Sequence, residues 1–193
     1  MQCRRLITLL ACSALLALPM ATVSGCASEP RDAGVEAVHG RVISAVQARD
    51  AGALYDLSVP ELTVRFEQVF QRWVAARDGL ASGEDADRAT LREGLALRHL
   101  EGVRSAREFF IALVDFQGVI LEDGVHAGLS PESVRLTDSS ATLRTRSGET
   151  FGYRLVDGTW RSELALNALQ MWPDIVRLEA NLARAESHLS EAR

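Results

Sequence analysis

The chain contains no lysine: all 21 basic residues among its 193 are arginine. That bias fits a GC-rich coding sequence and identifies no activity. Cysteine is almost as scarce, and its three copies, Cys3, Cys12 and Cys26, crowd into the start of the chain. Everything after Cys26 therefore lacks a disulfide, a cysteine metal site and a cysteine nucleophile. The four histidines (His39, His99, His126, His188) are too scattered to form a His-x-x-x-His metal pair. They are expected on the surface. No Gly-x-Ser-x-Gly elbow and no glycine-rich phosphate loop occurs. A net charge of −5 argues against nucleic acid as a partner. No metal and no cofactor is expected.

Long apolar runs are also absent, with one exception at the start. Arg4-Arg5 precede a Leu- and Ala-rich stretch from Leu6 to about Leu18, which Pro19 breaks. The stretch is shorter than the roughly 20 residues that cross a bilayer. A basic n-region, an apolar h-region and small residues before a cut are the parts of a secretory signal. Val23-Ser24-Gly25-Cys26 follows, and the whole resembles a bacterial lipoprotein signal with its lipobox. The resemblance implies a leader over residues 1–25 and lipid on the sulfur and new amino group of Cys26. Two or more acyl chains, each contributing about 0.8 kcal/mol per buried methylene, anchor stably. Ala27 and Ser28 follow, with no aspartate. By resemblance to envelope sorting this favours the outer membrane, on the periplasmic side.

Residues 26–34 read as a short tether, and residues 35–193 as one domain of a size that supports a real core. Val35, Val38, Val42, Ala45 and Val46 recur at helical spacing and predict a helix to about Arg49. A short helix over 53–57 follows. Ser58 and Glu61 predict a capping box opening a long helix to about Arg77. Its stripe of Leu62, Phe66, Val69, Phe70 and Trp73 reads as core. Residues 78–88 read as a loop. Helical pattern resumes over 89–117, with a break near Gly102 and a second capping box at Ser105 and Glu108.

After Gly118 the period changes to two. Val119-Ile120-Leu121 predicts a short strand. Runs at 134–137, 141–145, 151–156 and 160–166 predict an antiparallel meander, with hairpin turns at Ser147-Gly148 and Asp157-Gly158. Alternation puts Val134, Leu136, Ala141, Leu143, Phe151, Tyr153, Leu155, Trp160 and Leu164 on one face. Arg135, Arg144, Arg146, Arg154 and Arg161 fall on the other. Pro173 then opens a last helix to about Ser190. Its apolar stripe is expected to pack on the same domain.

Helices followed by a meander make an α+β fold. Two stretches sharpen this: Ala48-Arg49-Asp50-Ala51-Gly52-Ala53-Leu54-Tyr55-Asp56-Leu57-Ser58, and Asp138 to Leu143 followed by Leu155-Val156-Asp157-Gly158-Thr159-Trp160-Arg161. They resemble the opening and closing elements of nuclear transport factor two-like domains, including SnoaL-type members, across residues 35–166. The resemblance implies a cone, in which a curved antiparallel sheet wraps on helices and leaves a cavity at its open end. The last helix is an addition to that pattern.

Some relatives of that superfamily are isomerases or dehydratases with an acid or base in the cone. Asp115, in the most apolar helical stretch, and Tyr153, on the inward face, are the weak catalytic candidates here. No stretch matches an active-site motif of those enzymes. The expected role is therefore a binding or interaction domain at the membrane surface. The alternative is a periplasmic isomerase, dehydratase or hydrolase-like enzyme with a carboxylate in the cone. Expected partners are the membrane, through Cys26, a small apolar ligand, and a protein partner or second copy at the sheet. The five arginines are the candidate interaction face, since a planar guanidinium suits carboxylates and phosphates.

Overall fold

The computed structural model describes residues 31–81, 85–116 and 129–191. The fold is α+β. In chain order it has α1 (Arg31–Gln47), α2 (Ala51–Leu57), α3 (Pro60–Ala81), α4 (Ala86–Leu95), a 3₁₀ turn (Arg98–Leu100) and α5 (Ala106–Leu113). Then come β1 (Pro131–Leu136), β2 (Ser140–Thr145), β3 (Thr150–Val156) and β4 (Thr159–Ser162), followed by α6 (Leu164–Ala168), a second 3₁₀ turn (Leu169–Met171) and α7 (Pro173–Glu191). The leader, Cys26, His126 and the strand expected at 119–121 lie outside the described residues.

The four strands form one antiparallel sheet in sequence order. Leu143 faces Val134 on one side and Phe151 on the other, while Ala141 faces Leu136 and Tyr153. Period-two alternation thereby builds one apolar face. Asp157 (φ 48°) and Gly158 (φ 76°) both take the left-handed conformation. Two such residues in succession are what a two-residue hairpin needs to match strand twist. Leu136 departs from the expectation: it is 38% exposed, because β1 ends there. The last expected strand is also shorter. It stops at Ser162, and Leu164 to Leu166 turn into α6.

α1 lies across the apolar face, touching β1, β2 and β4, and packs on α2. Its buried Val35, Val38, Val42 and Val46 supply that contact. Its end is closed by two backbone bonds, Arg49 N–H to the Val46 carbonyl (3.1 Å) and Asp50 N–H to the Ala45 carbonyl (2.8 Å). This is a Schellman motif. Arg49 occupies its left-handed position (φ 51°). Asp50 then caps α2 by accepting from Ala53 N–H at 2.9 Å.

The remaining helices form a second body of packing, with α3 central to α4, α5 and α7. Phe66, Phe70, Trp73, Phe109, Phe110 and Trp172 meet there through edge and tilted ring contacts and one stacked pair, Phe70 on Trp73. α7 joins the domain as expected, burying Ile175, Leu178, Leu182 and Ala185. Arg65 reaches Glu179, and Arg72 reaches Glu186, so residues seven apart on one helix meet residues seven apart on the other. The two helices therefore run parallel.

The two capping boxes fare differently. At α5 the Ser105 hydroxyl accepts from Glu108 N–H as expected, while the Glu108 carboxylate returns to the N–H of Arg104, one residue before the cap, so the box is only half formed. At α3 the expectation fails. Ser58 is buried and donates its hydroxyl back to the Leu54 carbonyl at 2.7 Å. The next residue, Val59, donates its N–H to the Ser162 carbonyl. That link to β4 delays the helix to Pro60.

Candidate functional site

Among the described residues, three regions carry chemistry: a buried polar pair under the sheet, the arginine face above it, and an apolar cleft in the helical body.

The pair is His39 on α1 with Tyr153 on β3. Their ring nitrogen and hydroxyl oxygen are 2.7 Å apart, and the other ring nitrogen, Nε2, lies 2.8 Å from the Leu129 carbonyl. A carbonyl only accepts, so Nε2 carries the proton. In the neutral ring Nδ1 then accepts from the Tyr153 hydroxyl. Phe151 packs edge-on against the imidazole at 4.9 Å. Burial lowers the pKa of His39 and raises that of Tyr153, because both charged forms lose water. His39 is thus not a surface residue, as its sequence neighbours suggest, but 2% exposed. Its partners come from positions 90 and 114 residues away.

Tyr153, the inward-facing catalytic candidate, is 1% exposed and spends its hydroxyl on His39. Asp115, the other candidate, lies past the end of α5, which stops at Leu113 with Val114 as its C-cap. It is half-buried. The reading that put it inside a helix fails because the helix is shorter than its apolar pattern. The structure does not bring Asp115 into hydrogen-bond contact with Tyr153 or His39: the pair's two protons go to His39 Nδ1 and to the Leu129 carbonyl, which leaves none for a carboxylate.

The arginine face divides. Arg154 and Arg161 are directly opposite across β3 and β4, where two cations repel. Acidic and carbonyl groups from elsewhere compensate. Arg154 donates to Glu163 at 2.7 Å and also reaches Glu61. Arg161 donates to the Asp56 carbonyl. The Asp56 carboxylate is in turn held by Arg107 through two bonds of 3.0 and 2.8 Å, which lower its pKa. Gly152 makes room for this arrangement, since a Cβ there would stand on the Glu163 carboxylate. Toward the β1 edge, Arg144 meets Glu132 at 3.4 Å. Arg135 and Arg146 are exposed and have no ion-pair partner among the described residues.

The cleft was not legible in the sequence. It encloses about 520 Å³ between the C-terminal half of α3, the end of α4 and the first 3₁₀ turn. Trp73, Leu95 and Leu100 form its buried floor, and Leu97 its wall. The Trp73 indole N–H donates to the Leu95 carbonyl, so the ring is fixed. Arg77 sits over that ring at 4.9 Å and is paired with Asp78. Arg92 and Glu101 complete the rim. Trp73 reads as core from its helical stripe, and it is core. Nothing in its spacing reports that one side of it faces a cleft.

No described helix is long and apolar enough to cross a membrane. Among the described residues no group of three His, Cys, Asp or Glu side chains is placed to hold a metal ion. No protein-family model, curated protein or solved structure matches the chain.

Proposed function

We propose that the chain is a lipid-anchored protein of the bacterial envelope, held by Cys26 at the periplasmic side of the outer membrane. Its α+β domain, read as nuclear transport factor two-like, serves as a binding or interaction module rather than an enzyme. The observation that carries the anchor is the order of Arg4-Arg5, a short apolar run and Val23-Ser24-Gly25-Cys26. A non-catalytic role is supported by the way the inward polar groups are spent: Tyr153 and His39 satisfy each other and Leu129. Surfaces that face outward are better suited to binding. The exposed Arg135, Arg144 and Arg146 offer a cationic strip to a protein partner or a second copy.

Replacing Cys26 with serine tests the anchor. The variant is expected in the soluble periplasmic fraction, and the parent chain in the outer-membrane fraction. A variant that stays with the membrane refutes the anchor. The enzymatic alternative stands or falls on Asp115. A turnover that Asp115→Asn abolishes without unfolding the chain would replace the binding reading.

A further inference from the structure

Arg92 is a cation at the mouth of an apolar cleft, and among the described residues no carboxylate forms an ion pair with it. It is half-buried at the end of α4, and no ion pair or side-chain hydrogen bond engages it among the described residues. Its neighbour on the rim, Arg77, is already committed to the Trp73 ring and to Asp78. The carbonyls of Arg92 and Glu93 accept from Ala96 N–H, which closes the helix end without help from the guanidinium. A partly dehydrated guanidinium gains most from a bidentate carboxylate.

The cleft below it is of a size and character that hold small molecules. About 520 Å³ falls inside the roughly 300–1,000 Å³ range of such sites, which are mostly apolar with a few placed polar groups. Trp73, Leu95, Leu97 and Leu100 supply the apolar body. The fixed indole, stacked on Phe70 and covered in part by Arg77, contributes an apolar edge to the cleft rather than an open face. Glu101, exposed on the rim, limits the surplus of positive charge and disfavours a dianion.

We propose that this cleft binds small amphipathic monocarboxylates, with an aryl or alkyl body on Trp73 and the leucines and the carboxylate on Arg92. The site lies in the helical body, away from the sheet and from the buried pair of His39 and Tyr153. The inference rests on the binding-module half of the proposed function and is independent of the anchor. Its failure would leave the fractionation of the Cys26 variant unchanged.

Calorimetric titration of the full-length chain with phenylbutyrate, and separately with its neutral isostere phenylbutanol, tests it. The acid is expected to bind saturably and about tenfold or more tighter than the alcohol, the size of effect a charge-assisted bond gives. Arg92→Gln is expected to erase that preference and leave the alcohol's affinity unchanged, with an unaltered melting temperature as the check on folding. Equal affinities for acid and alcohol in the parent chain, or no saturable binding of either, overturn the proposal without recourse to a variant. So does an Arg92→Gln chain that keeps the full preference.

Discussion

The hydroxyl of Tyr153 donates to Nδ1 of His39, and that bond ties α1 to the middle of the sheet. The same imidazole passes a second bond to the Leu129 carbonyl. One neutral ring thus joins the first helix, the third strand and the segment leading into the first strand. Removing the hydroxyl leaves Nδ1 buried with no donor. Tyr153→Phe is expected to lower stability by about 1–3 kcal/mol, the cost of an unsatisfied buried polar group. Urea denaturation measures it. If the phenylalanine variant matches the parent, the bond is not a fastener.

Acid should weaken the same joint. The ordinary pKa of His39 is 6.5, and burial lowers it in the fold. Below that ordinary value the unfolded chain takes up a proton that the folded chain refuses, so the unfolded state gains. Stability from this group is complete above pH 6.5 and falls as the pH drops toward the lowered folded value. His39→Gln is expected to be less stable at neutral pH but to show a flatter decline between about pH 6.5 and 5. Melting temperatures across that window decide it. A parent chain whose stability is level through the window contradicts the assignment of a neutral, buried imidazole.

Arg49 closes α1 in a conformation that glycine tolerates and side chains do not favour. The left-handed position costs an ordinary residue about 1–2 kcal/mol, and glycine's greater freedom in the unfolded chain returns part of that. Arg49→Gly is therefore expected to stabilise by about 0.5 kcal/mol, and Arg49→Val to destabilise by about 1 kcal/mol or more. A destabilised Arg49→Gly would mean that the guanidinium makes a contact worth more than the backbone strain, and an Arg49→Val more stable than Arg49→Gly would contradict the left-handed position.

Whether the last helix is part of the core or an appendage can be tested at two of its positions. Leu182 is fully buried between α7 and its neighbours, while Val176 is 50% exposed. Leu182→Ala is expected to cost about 2–5 kcal/mol, and Val176→Ala less than about 0.5 kcal/mol. The ion pairs Arg65–Glu179 and Arg72–Glu186 are too exposed to hold the helix alone, since such pairs give about 0–1 kcal/mol each. Small effects from both substitutions would make α7 an appendage after all.

What could be read in advance follows the reach of the interactions. α1 and α7 were legible because their valine and leucine stripes repeat locally. The Asp157-Gly158 hairpin was legible because its turn demands two left-handed residues in succession. Ser58 misled because its hydroxyl had two local choices, forward to cap α3 or back to Leu54, and a distant strand at Ser162 decided between them. The arginine alternation was legible. Its neutralisation was not, because Glu61 and Asp56 arrive from helices some 90 to 105 residues earlier. His39 was misplaced for the same reason, with both of its partners at long range. Asp115 was misplaced because an apolar run continued past the point where α5 ends.

Lipid on Cys26 is read without intermediary by mass spectrometry of the protein purified from its native membrane. The N-terminal peptide is expected to begin at Cys26 and to carry a diacylglyceryl group on the sulfur, with the residues before Cys26 gone. A peptide that spans Gly25-Cys26 with an unmodified thiol would contradict it.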